Sequence, residues 1–149
     1  MILSTKQMLL DAQEGHYAVP AFNIHNMETL QVVAETAAQM RSPLIIAATP
    51  STVDYAGAEY LVSMARVAAS ETDIPIAVHL DHFEDVDNIE KAIDAGFRSC
   101  MIDASKLPFE ENIAKTRKVL QYAHHYDTTV EAELGKLIGI EDDIEVNDK

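Results

Sequence analysis

Cysteine is almost missing from this chain: Cys100 is the only one in 149 residues. An internal disulfide is therefore excluded, and a reducing cytoplasm is the simplest expected location. Basic residues are also scarce. Lys and Arg number 11 against 25 Asp and Glu, a net charge of −14, which leaves no basic footprint for a nucleic-acid backbone. No apolar run approaches the ~18 residues that a membrane-spanning helix needs. The opening MILSTKQMLLDAQ has neither the basic leader nor the continuous apolar core of a secretory signal. What is present is ordinary for a globular protein: 48% hydrophobic and 24% charged residues, in a length that suits about one domain.

Short β-rich runs alternate with helical stretches. The pattern predicts helices over 4–14, 26–40, 58–70, 86–95 and 109–126. It predicts strands at Tyr17–Phe22, Leu44–Ala48, Ile74–Leu80, Arg98–Ile102 and Thr128–Leu134. Met27, Leu30, Val33, Ala34 and Ala37 recur at helical spacing, while Pro20 sits awkwardly in the first strand. This alternation with short connections implies parallel strands and right-handed crossovers. Two architectures accommodate it: a complete open five-stranded sheet, or the first five-eighths of an eight-stranded barrel that normally needs ~250 residues. The polar residues favour the barrel, because the predicted strands end at Asn23 and His25, at Thr49, at Asp81-His82, at Asp103, and at Glu131 and Glu133. Chemistry in parallel α/β folds gathers at such carboxyl ends.

Asp81-His82 is the sharpest pair. A carboxylate beside an imidazole can bind a divalent metal and move protons, and equally it can be a helix-capping Asp next to a polar His. Adjacent strand residues face opposite ways, so both reach one site only if the strand bends or stops there. Glu131 and Glu133 share a face. They point into a barrel if Val130, Ala132 and Leu134 meet the helices, or into solvent if this is an edge strand. Glu141-Asp142-Asp143 follows a glycine-bearing loop, a place for a mobile base or for plain solvated charge. Asp103 suits a metal ligand or a cap for the Ser105 region. Cys100 reads as inert core, His79 as a packed, hydrogen-bonded histidine, and His124-His125 as filler. None of the five predicted strands carries the lysine that imine chemistry would require, which points to a metal electrophile.

Taken in order, these segments resemble the class II, metal-dependent fructose- and tagatose-bisphosphate aldolases, with the tagatose type nearest. The resemblance rests on STK at Ser4, YAVPAFNIHN from Tyr17, SPLIIAATP from Ser42, HLDH from His79, MIDAS from Met101, LPFEENI from Leu107, VEAELG from Val130 and EDD from Glu141. It implies a (β/α)8 TIM barrel of which residues 1–149 form about the first five units. It also implies a Zn2+ cofactor that polarises a ketone and stabilises an enediolate, and reversible cleavage of tagatose or fructose 1,6-bisphosphate to dihydroxyacetone phosphate and glyceraldehyde 3-phosphate. By the same resemblance Asp81 is the acid/base at the C4 hydroxyl and His82 a zinc ligand. Glu133 and Asp103 are carboxylates of an alternative or second metal position, and Glu141 is the loop base for the C3 proton. Asn23 and Thr49 lie where the family contacts substrate. The expected partners are a phosphosugar, further copies of the chain, and a non-catalytic companion subunit. The family's loop glycine pair reads Ile138-Gly139 here. Its later strands, with two further zinc histidines and the phosphate loops, have no counterpart before Lys149. That leaves a second expectation, a non-catalytic half-barrel that needs a partner, and a weaker third, another phosphosugar barrel enzyme such as an epimerase.

Overall fold

A computed structural model of the chain describes residues 2–136 and the backbone of two short strands at 139–141 and 144–146. Five parallel strands form one sheet in sequential order: β1 (Ala21–Asn23), β2 (Leu44–Ala48), β3 (Ile76–Phe83), β4 (Ser99–Ile102) and β5 (Thr129–Ala132). Between them run α2 (Met27–Met40), α3 (Pro50–Ala56) and α4 (Ala58–Glu71), α5 (Val86–Ala95) and α6 (Phe109–Ala123), and α1 (Thr5–Gly15) precedes the sheet. An antiparallel pair follows, β6 (Gly139–Glu141) and β7 (Ile144–Val146). Sequential order matters. Right-handed crossovers between strands that always advance in one direction put every connecting helix on the same face. A doubly wound sheet would need a reversal of strand order. The sheet is thus a sector of a (β/α)8 barrel.

The core sits between sheet and helices. Leu44, Ile46, Ile76, Val78, Leu80, Cys100 and Ile102 alternate onto the helix-facing side, where they meet Leu30, Leu61, Val62, Ile89, Ile93 and Val119. The opposite face would line the barrel interior. At its amino end Ile45 and Ala77 are closed off by Met8 of α1 together with Val19. Leu3 N–H bonds the Ile76 carbonyl and Ile2 bridges Ile76, so the segment before α1 is tied to the start of β3.

Local chemistry sets the boundaries. Asn26 caps α2 in a reciprocal box with Thr29, and the Asp85 carboxylate caps α5 by accepting from Asn88 N–H at 2.9 Å. Gly96 ends α5 at φ +121°, and a Cβ there would lie 2.8 Å from an Arg66 guanidinium nitrogen and 2.9 Å from Val62 Cγ1. Only glycine combines that backbone with so close an approach to α4.

Several expected boundaries shift. The first strand is Ala21–Asn23 rather than Tyr17–Phe22, because Pro20 has no N–H and enters the ladder only through its carbonyl, which accepts from Ile45. The sequence pattern missed α3, a helix too short to show a period. It is started by Pro50, whose fixed φ suits a first helical position. The last helix stops at Ala123 and tightens into a 3-10 turn over His124–Tyr126, with both histidines exposed. Strand five ends at Ala132, and Leu134 is 73% exposed rather than packed on helices, because the alternation lapses where the ladder stops. No described helix is long and apolar enough to cross a membrane.

Candidate active site

The carboxyl ends of β3, β4 and β5 meet in one cluster, and a defect in β3 makes it possible. Leu80 pairs with Cys100 and Phe83 with Ile102, so β3 spends three steps where β4 spends two. The extra residue is a β-bulge, and His82 takes a left-handed backbone at φ +55°. Leu80 and Phe83 both enter the helix-side core, while Asp81 and His82 between them turn inward. The condition set by strand alternation is met by this bend. The left-handed conformation is costly for a residue with a Cβ and must be held by its surroundings.

His82 Nδ1 lies 3.2 Å from Asp103 Oδ2 and 3.8 Å from Glu133 Oε2, and its Nε2 lies 4.0 Å from Asp81 Oδ1. One ligand atom each from His82, Asp103 and Glu133 can be chosen with all three within 4.8 Å of one another. An imidazole and two carboxylates are donors that zinc and other divalent ions accept, and three protein ligands leave coordination positions open. Asp103 Oδ1 accepts from Ser105 N–H at 3.0 Å, the cap that the sequence allows, while Oδ2 faces His82. Burial alone would raise the Asp103 carboxyl. Hydrogen bonds from Ser105, then from His82, outweigh that and hold it below its ordinary value, so it is ionised and able to bind a cation. Asn112 supports the third member by donating to the Glu133 carbonyl at 2.8 Å.

Asp81 stands beside this trio. Its Oδ2 accepts from the Asn23 side-chain amide at 2.9 Å, which joins the ends of β1 and β3. Thr49 follows β2 at the same end of the sheet and precedes α3, with its hydroxyl 3.1 Å from Ser51 Oγ and 3.3 Å from Thr52 Oγ1. His25 Nδ1 adds a 2.8 Å contact to Thr52, which makes a hydroxyl-rich patch. The side chain of Glu141, and residues 142 and 143, lie outside the described residues. Glu131 lies on the same face as Glu133, yet its side chain is 63% exposed and, among the described residues, its ion-pair contact is His79, at 3.8 Å.

Sequence reasoning passed over two partners, Ser99 and Thr5. His79 is the packed histidine that the sequence suggests: Nδ1 is 2.8 Å from Ser99 Oγ, which is 3.1 Å from Thr5 Oγ1 on α1. Ser99 could have been noticed as a lone hydroxyl in an otherwise apolar strand. Cys100 is fully buried, and burial pushes its thiol up to about 12, which makes it inert.

A sector of parallel barrel with a histidine–carboxylate cluster at its strand ends is an architecture that many barrel families share. The profile described as "Fructose-bisphosphate aldolase class-II" matches residues 3–149, and the chain belongs to that family. Among relatives, the D-tagatose-1,6-bisphosphate aldolase subunit GatY of Klebsiella oxytoca is 57% identical over 148 residues, which are 99% of this chain and 52% of that protein. Two solved structures are similar at 34% identity. The YdjI aldolase of Escherichia coli K12 has a TM-score of 0.84 over 91% of this chain and 52% of its own. A protein of Coccidioides immitis, provisionally described as a fructose-1,6-bisphosphate aldolase, has a TM-score of 0.85 over 94% and 49%. The chain thus spans about half the length of the proteins it matches.

Proposed function

We propose that this chain supplies the metal-binding and proton-transferring half of a class II aldolase that cleaves tagatose 1,6-bisphosphate or fructose 1,6-bisphosphate reversibly. The products are dihydroxyacetone phosphate and glyceraldehyde 3-phosphate. The observation that carries the reading is the convergence of His82, Asp103 and Glu133, with Asp81 held alongside by Asn23. Its donor set fits Zn2+, which when bound would act as a Lewis acid on a substrate carbonyl.

The chain's own residues would do the rest. Asp81, with one oxygen occupied by Asn23, keeps the other to take the C4 hydroxyl proton in cleavage and return it in condensation. His82, Asp103 and Glu133 would hold the cation, and whichever ring nitrogen of His82 serves as ligand must carry no proton. Glu141 is proposed as the base at C3, and Thr49 and Asn23 as groups that orient substrate. Residues 1–149 are read as the amino-terminal portion of one barrel, with the second half of the site supplied by elements that lie beyond it in the family.

Association is proposed too. Among the described strands β1 and β5 each pair on one side only, and such edges invite pairing. The Klebsiella relative is itself called a subunit, which supports a companion chain alongside self-association. A reducing cytoplasm remains the proposed location, given one buried cysteine.

The test pairs metal with turnover. Calorimetric titration of the full chain with Zn2+ should show about one site, weakened in His82→Ala and Glu133→Gln. Aldol cleavage of the two bisphosphates, assayed with and without a companion subunit, should follow metal content. Zinc uptake indifferent to both substitutions would sink the assignment and favour a purely structural half-barrel.

A further inference from the structure

His79 does no chemistry in the reading above, and yet it is tied down as firmly as any residue on the inner face. It is 7% exposed, its Nδ1 is 2.8 Å from Ser99 Oγ, and Ser99 in turn is 3.1 Å from Thr5 Oγ1 on α1. The Glu131 carboxylate 3.8 Å from Nε2 favours a proton on that nitrogen. The ring is then the neutral Nε2–H tautomer, and Nδ1 accepts from the Ser99 hydroxyl. Burial, which penalises the cation, also pulls the ring pKa below its ordinary value.

Position gives this network its meaning. His79 and Ser99 are register partners, and only one regular pair, Leu80 with Cys100, separates them from the bulge. Backbone rungs are chemically alike, so the ladder itself does not say where an extra residue belongs. A bulge one step earlier or later would carry Asp81 or His82 to the helix side, since a one-residue slip reverses every face beyond it. A bond between two particular side chains removes that degeneracy.

We infer that His79 is a positioning residue whose bond to Ser99 pins the last regular stretch of β3, so that the extra residue falls at Asp81-His82 and both stay turned inward. The inference rests on the metal-site reading only for its consequence; the pinning stands on geometry. Asp103 N–H donates to the Phe83 carbonyl at 2.8 Å, closing the ladder on the far side of the bulge. That amide therefore reports whether the bulge stays in place.

Two substitutions separate the ends of the ring. Asparagine places an amide atom near the position of Nδ1 and keeps the Ser99 bond, whereas glutamine reaches towards Nε2 and Glu131 and loses it. In the full chain titrated with Co2+ and followed by its visible absorption, His79→Asn should bind within about threefold of wild type. His79→Gln and Ser99→Ala should lose roughly 10- to 100-fold, the range of groups that orient a ligand. Glu131→Gln should leave affinity unchanged. The reverse order, with Gln retained and Asn lost, would overturn the inference in favour of a role through Glu131. If wild type takes up no Co2+, the metal-site reading fails by itself and hydrogen exchange decides the inference. The Asp103 amide should be as protected in His79→Asn as in wild type, and at least about tenfold less protected in His79→Gln. Equal protection in the two variants would refute the pinning.

Discussion

Leu80 and Asp81 are neighbours on β3 with opposite surroundings. Leu80 is fully buried among the helices. Asp81 looks inward, with one oxygen on Asn23 and the other 4.0 Å from His82. The contrast extends across the sheet. The helix side is apolar from Leu44 to Ile102 and gains its stability from surface removed from water. The inner side, above the Met8, Ile45 and Ala77 plug, holds Ala47 and Met101 and is otherwise polar, with His79, Ser99, Asp103, Glu131 and Glu133. Those groups partner one another or His82, and no buried side-chain nitrogen or oxygen among the described residues lacks a hydrogen bond. One face holds the fold together, and the other concentrates carboxylates around a histidine.

If that division is right, damage to the two faces should differ in kind. The largest effect is expected from Asp81→Asn in turnover-competent protein: kcat lower by ~10² to 10⁴, the span of general acid–base groups, with zinc affinity and melting temperature little changed. Near-normal turnover would remove Asp81 from the chemistry. Next comes its neighbour. Leu80→Ala should cost about 2–5 kcal/mol in denaturant unfolding, while the molecules that remain folded bind zinc as before. A loss of affinity without a loss of stability would mean that the two faces are not independent.

A smaller effect belongs to the helix layer. Gly96→Ala forces a Cβ into Arg66 and Val62 at a positive φ, and should destabilise by ~1–3 kcal/mol, again sparing metal binding. The smallest concerns His79 and is read from pH. Its folded pKa lies below 6.5, so the unfolded chain binds more protons in the interval between the two values. Stability contributed by the neutral ring is complete above about 6.5 and declines as pH falls towards the folded value. Melting temperatures followed from pH 8 downwards should show this decline flattened in His79→Asn. An identical profile in that variant would mean that the ring titrates freely.

Much of this was legible in the residues. The alternation of β runs with amphipathic stretches gave five strands in order, and right-handed crossover left few ways to assemble them. Asp81, His82, Asp103 and Glu133 could be singled out because carboxylates and a histidine kept recurring where apolar runs ended. Periodicity had no grip on α3, which is only seven residues long, or on Leu134, where burial depends on where the ladder ends. Nor could the residues show that the Thr49 hydroxyl meets those of Ser51 and Thr52 at the start of α3.

The sequence by itself determined the strand and helix types, the apolar face of each and the inventory of ionisable groups, because these follow from side-chain periodicity and local capping. Only the tertiary structure decided that Asp81 and His82 face the same way. That outcome depends on an extra residue in β3 relative to β4 and on a left-handed His82 at φ +55°. A bulge is a mismatch between two strands, and its location is set by contacts such as His79 with Ser99, twenty residues apart in the chain. No pattern within either segment carries that information, because it exists only once the two strands lie side by side.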